Sequence, residues 1–108
     1  MKPCTPSIEP AITVTVFNAR TKAPIEANIV VQDGKFQEVL AVYGATASGQ
    51  TIYGGAFERP GIYTLRVSQP GYRTTRIARI NVSKDECHVL TRHVNIKLVP
   101  VKKHRPRN

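Results

Sequence analysis

Gly61-Ile62-Tyr63-Thr64-Leu65-Arg66-Val67-Ser68-Gln69-Pro70-Gly71-Tyr72 is the stretch whose reading decides the fold. Within it Tyr63, Leu65 and Val67 alternate with Thr64, Arg66 and Ser68. That is the period-2 pattern of a strand with one buried and one wet face. Pro70-Gly71 then breaks the strand as a turn dipeptide, and a second aromatic follows at Tyr72. The stretch predicts an all-β protein and carries no reaction chemistry.

The alternation recurs on both sides. Ile12 to Phe17 reads as strand one, and Ala27 to Gln32 as strand two, with Ala27, Ile29 and Val31 on one face. Asp33-Gly34 between alternating flanks predicts a hairpin. Phe36 to Tyr43 reads as strand three, with apolar residues on both faces and therefore no clear register. Gly44 to Gln50 is small and polar and is expected to be the most mobile loop of the body. Thr51 to Phe57 reads as strand four, where Gly54-Gly55 predicts a bulge or an edge. The opening stretch is strand five, Arg73 to Val82 strand six and Cys87 to Val99 strand seven. The parities of Val89 and Val94 differ, which predicts a bulge or bend between them. Seven strands spaced by roughly 8–12 residues, with turn residues between, predict a seven-stranded, two-sheet Greek-key sandwich. Residues 1–10 read as a tether, 11–100 as the sandwich domain and 101–108 as a disordered basic tail.

A chain of 108 residues holds one core. Trp is absent, so that core is built mainly from Val, Ile and Leu, which favour pleated sheet. Lys and Arg number 16 against 7 Asp and Glu, a net charge of +9. Lys102, Lys103, Arg105 and Arg107 sit in the tail, and the body is basic without them. Such a balance suits anionic partners or serves solubility. No apolar run approaches the ~18 residues of a membrane-spanning helix. Met1-Lys2 reads as a start joined to a processed chain, and Pro3 to Ser7 has the composition of a tether.

The two cysteines, Cys4 and Cys87, leave three possibilities. A disulfide would staple the tether to the start of the last predicted strand and imply an oxidising, extracytoplasmic location. Otherwise both are reduced thiols, or Cys4 is the lipid-bearing residue of a lipoprotein.

Three segments together resemble the carboxypeptidase regulatory-like domains of the transthyretin-like (prealbumin-like) β-sandwich superfamily. Ile12 to Val16 followed by Thr21-Lys22-Ala23-Pro24-Ile25 is similar to the family's first strand and its Thr-x-x-Pro-Ile turn. Gly61-x-Tyr63, with Pro70-Gly71-Tyr72, is similar to its Gly-x-Tyr…Gly-Tyr pattern. Val82 to Val89, with its Cys87-His88-Val89, resembles small bacterial secreted or lipid-anchored members that also carry an N-terminal Cys. The resemblance spans about residues 11–99 and implies an accessory or interaction module. The enzymatic branch, the hydroxyisourate hydrolases, ends in Tyr-Arg-Gly-Ser/Thr. Here the chain ends His104-Arg105-Pro106-Arg107-Asn108, so that activity does not carry over.

The candidate chemistry is thin. His88 and His93 are five apart and point to opposite faces of an unbroken strand, whereas a metal needs convergent ligands. No metal or cofactor is expected. Asp85-Glu86 lies in a predicted turn and reads as turn-forming rather than as an acid/base pair. No Ser sits in a nucleophile-elbow context, so no catalytic residue is expected and a divergent hydrolase is the third reading. Arg66, Arg73, Arg76, Arg79, Arg92 and Lys97 fall in strands five to seven, where outward positions would form one basic face. Among them Arg66, Arg79 and Lys97 are the candidate contacts for an acidic protein or an anionic cell-envelope surface. Nucleic acid is disfavoured, because aromatics for base stacking do not interleave with these positions. Tyr63 and Tyr72 read as core. Tyr43 and Tyr53, flanking the Gly44–Gln50 loop, are the candidates for stacking on a carbohydrate. A membrane would be engaged only through a lipid on Cys4.

Overall fold

The computed structural model describes residues 4–101, and eight strands and no helix form within them. They are β1 (Ile12–Asn18), β2 (Asn28–Asp33), β3 (Phe36–Val39), β4 (Ala41–Ala45), β5 (Thr51–Gly55), β6 (Gly61–Ser68), β7 (Thr75–Val82) and β8 (Arg92–Leu98). One sheet runs β4-β5-β1-β8 and the other β3-β2-β6-β7. Every pairing is antiparallel except β1 with β8.

The alternation in the sequence sorts side chains between the two faces of each sheet. Ile12, Val14 and Val16 of β1 meet Ile96 and Leu98 of β8 in the core, while Ile29 and Val31 of β2 meet Tyr63, Leu65 and Val67 of β6. Both sets belong to one apolar cluster, so the two sheets share a single core. Burial of each such side chain contributes about 1.5–3 kcal/mol, and together they hold the sheets together.

The expected third strand is two strands, which raises the count from seven to eight. Leu40 is buried between them, and its N–H bonds Ile29 O at 2.8 Å. The chain leaves the second sheet after Val39 and enters the first at Ala41. A strand that changes sheets shows apolar residues on both of its nominal faces, which is why no register was legible there.

Gly54-Gly55 is neither a bulge nor an edge, because β5 lies between β4 and β1 in regular register with β1. The irregularity falls on β4, between Val42 and Gly44. The glycines instead make room. A Cβ on Gly54 would lie 3.0 Å from Tyr43 Cβ, and one on Gly55 would lie 2.7 Å from Leu40 Cδ2. The Glu38 carboxylate also occupies the space beside Gly55 and accepts the Ala56 N–H at 3.1 Å.

The last strand begins at Arg92 rather than Cys87. Val89 is buried and forms an isolated bridge with Lys84 outside the strands, and Leu90 N–H closes that turn on Ser83 O at 2.8 Å. The parity change between Val89 and Val94 thus falls in a link before the strand, not in a bulge within it. The Asp33-Gly34 hairpin forms as expected, pairing Asp33 with Phe36, with Gly34 at φ 59° where a side chain would be strained.

Candidate functional site

Four polar assemblies lie around the core. The first fastens the N-terminal segment. Cys4 and Cys87 are disulfide-bonded, with Cα atoms 5.3 Å apart and a sequence separation of 83. The bond uses the sulfur that a lipid on Cys4 would need, so among the three sequence readings the disulfide stands. Residues 4–10 form no strand, yet Pro10 is buried and its carbonyl accepts the Thr91 hydroxyl at 2.6 Å. The expected basic tail beyond Val101 lies outside the described residues, as do residues 1–3 of the expected tether.

Glu58 completes this fastening from a left-handed backbone (φ 54°) in the turn before β6. Its Oε2 accepts the Glu9 N–H at 2.9 Å and faces His88 Nδ1 at 2.7 Å, while Oε1 accepts the Val89 N–H at 3.1 Å. The Glu9 N–H is the strongest influence holding the Glu58 carboxyl below its ordinary value; partial burial opposes it and His88 reinforces it. The hydrogen bond to Glu58 in turn raises the His88 pKa, against a smaller opposing effect of burial. His88 Nε2 lies 3.1 Å from both the Thr5 hydroxyl and the Thr5 carbonyl oxygen.

A carboxylate, an imidazole and a hydroxyl in a row share the layout of an activated nucleophile. That chemistry needs Nε2 without a proton, to receive one from the hydroxyl. A carbonyl oxygen only accepts, so the contact with Thr5 O favours a proton on Nε2. The raised pKa favours the same doubly protonated ring. The row holds the N-terminal segment as a clasp.

The second assembly closes a corner of the second sheet. The Tyr63 ring is wholly buried, and its hydroxyl donates to Arg59 O, four residues upstream, at 2.5 Å. Arg59 Nη1 donates to Asp33 Oδ2 at 3.0 Å, and the guanidinium lies 4.0 Å from the centre of the Phe36 ring. A Cβ on Gly61 would collide with that Asp33 carboxylate, which accounts for the glycine that opens the strand. Tyr72, the other expected core tyrosine, is partly buried against the core and accepts a hydrogen bond from Asn18 Nδ2 at 3.0 Å.

The third assembly is the outer face of the first sheet. Thr13 bonds His93 Nδ1, and the Thr15 hydroxyl donates to Asn95 Oδ1, across the parallel β1–β8 pair. Tyr43 lies over Gly54 and contacts Phe57, with ring centres 5.9 Å apart. Here Thr13, Thr15, His93 and Asn95 bond in two cross-strand pairs, and Lys97 beyond them is exposed.

The fourth is the outer face of the second sheet. Arg66 of β6 and Arg76 of β7 stand directly opposite each other in the ladder, and both are exposed. Among the described residues the ion pairs are Arg59–Asp33 and His88–Glu58, so neither of these guanidiniums has a carboxylate partner there. Like charges directly opposite on a sheet repel. They border a shallow hollow of about 310 Å³ with Val30, Gln32, Gln37 and Thr64.

The residues singled out in sequence are therefore dispersed. Tyr53 is 7% exposed and its hydroxyl accepts the Ala27 N–H at 3.2 Å, so its ring offers no stacking face. Tyr43 remains 48% exposed. The Gly44–Gln50 loop between them is a closed turn, tied by Thr46 N–H to Gln50 O at 2.8 Å and Gly49 N–H to Thr46 O at 2.9 Å. Lys97 and Arg92 belong to the first sheet and Arg66 and Arg76 to the second, so the expected single basic face is split between two sheets. Arg79 sits at φ 61° where β7 carries an extra residue against β6. His88 and His93 are in separate assemblies, and among the described residues no three His, Cys, Asp or Glu side chains gather to hold a metal.

Sequence reasoning missed Glu58, because its partners come from residues 9, 88 and 89. It also missed the Arg66–Arg76 opposition, which depends on the β6–β7 register. No family model and no curated protein matches the chain.

Proposed function

We infer that this chain is a non-enzymatic, extracytoplasmic interaction module of the transthyretin-like, Greek-key sandwich type, and that it engages an anionic polymer or surface of the cell envelope. The observation that carries the reading is the pair Arg66 and Arg76, opposed in the ladder and without a carboxylate partner among the described residues. An anion between them removes the repulsion that the free protein bears, and guanidinium forks suit carboxylate, sulfate and phosphate. The disulfide supports an oxidising compartment. Among the described residues no helix is long and apolar enough to cross a membrane. The clasp supports the non-enzymatic reading, since both nitrogens of His88 are engaged in holding the N-terminal segment.

The test is the salt dependence of binding to an anionic polymer. Log affinity should fall steeply with log salt, and the slope should flatten in the Arg66→Gln/Arg76→Gln variant but much less in Lys97→Gln. Equal flattening in both variants would show that net charge alone drives the contact. Export itself is checked by intact mass: exported protein should lack two hydrogens and resist alkylation until reduced.

A further inference from the structure

We propose that the hollow on the outer face of the second sheet is a saccharide site, in which Arg66 and Arg76 together clamp one anionic substituent of a glycan. The inference rests on the interaction reading above and names its ligand. Residues directly opposite in an antiparallel ladder have Cβ atoms about 5 Å apart, so two guanidiniums rooted there converge on one anion rather than on two distant ones. The remaining polar groups of the hollow, Gln32, Gln37 and Thr64, are uncharged. Amides and a hydroxyl offer both donors and acceptors, which matches the hydroxyls flanking a charged group on a sugar ring. Val30 adds an apolar floor for ring C–H groups.

Shape and chemistry separate this ligand from the other anionic polymers. A volume of about 310 Å³ is at the lower end of what small-molecule sites enclose, and it admits a protruding sugar unit where a flat bilayer surface would only lie across its rim. The lining has no aromatic ring on which a nucleobase could stack. An acidic peptide would satisfy the arginines but leave the two amides and the hydroxyl without ring hydroxyls to read.

The test compares four probes at physiological salt: dextran sulfate, unsubstituted dextran, polyglutamate and vesicles containing phosphatidylglycerol. Dextran sulfate should bind at least roughly tenfold more tightly than each of the others, the scale of one charge-assisted contact. Arg66→Gln and Arg76→Gln should each cost roughly tenfold, and the double variant little more than either, because both hold the same anion. Gln37→Ala should weaken dextran sulfate by a few fold and leave polyglutamate unchanged. All these positions except Thr64 and Val30 are exposed, and thermal melts verify that the variants stay folded. Polyglutamate or vesicles binding as tightly as dextran sulfate, or a Gln37→Ala variant that binds it normally, would overturn the saccharide site and leave the interaction reading intact. Losses in Lys97→Gln equal to those in Arg66→Gln would overturn both, as would no binding to any probe.

Discussion

The clasp at Glu58 and the outer face of the second sheet are both polar, and they use polarity in opposite ways. In the clasp one carboxylate meets two backbone N–H groups and an imidazole, and that imidazole reaches Thr5 on its far side. On the sheet face two cations of the same sign stand opposite each other with an open hollow beside them. Charge satisfied within the chain holds structure, whereas charge set against itself costs stability until something external neutralises it. Changes in the clasp should therefore alter stability and spare binding, and changes on the face should do the reverse.

The largest expected effect is removal of the disulfide. For a sequence separation of 83, loop-closure entropy gives roughly 4–5 kcal/mol as an upper estimate, a large part of the ~5–15 kcal/mol of a typical domain. Urea unfolding of Cys4→Ser/Cys87→Ser should show a loss of that order. Binding of dextran sulfate by the fraction still folded should not change; a parallel loss of affinity would break the contrast between the two regions. Next is the closed corner. Tyr63→Phe removes the hydroxyl that donates to Arg59 O and accepts from its guanidinium, and should cost about 1–3 kcal/mol in the same assay.

The pH dependence of the clasp follows from the signs of its two shifts. His88 has a raised pKa in the folded protein, so its contribution is complete below its ordinary value of 6.5 and is lost as pH rises through the raised one. Glu58 has a lowered pKa, so its contribution is complete above 4.5 and is lost as pH falls through the lowered one. The melting temperature should thus carry a clasp contribution that peaks between about pH 4.5 and 6.5. His88→Gln should remove the decline on the alkaline side, and an unchanged pH profile in that variant would refute the clasp. The smallest effect on stability is on the open face. Arg76→Gln should raise stability by about 0.2–0.5 kcal/mol at low salt, less as salt screens the repulsion, while lowering anion affinity. A variant that loses stability and affinity together would make Arg76 a structural residue.

Legibility followed the range of the interactions. The strand at Gly61–Ser68, the hairpin at Asp33-Gly34 and the core role of Tyr63 were readable because each depends on neighbours within a few residues. The break at Leu40 was not, since a sheet change leaves only an ambiguous apolar run. Nor was the use of Gly54 and Gly55, whose missing side chains answer Tyr43, Glu38 and Leu40 from a distant segment of the chain.

Taken alone, the sequence determined that the chain is all-β, that alternate residues of its strands face one core, and that the body is basic. Local periodicity and composition suffice for these, because a strand's faces are set by a two-residue repeat. Only the tertiary structure decided which strands share a sheet, and with it that Cys4 meets Cys87, that Glu58 meets His88, and that Arg66 meets Arg76. Each of those depends on strand order and register between distant segments. A register shift of one residue would turn Arg66 inward, and the alternation along its own strand does not record which residue of β7 stands opposite it.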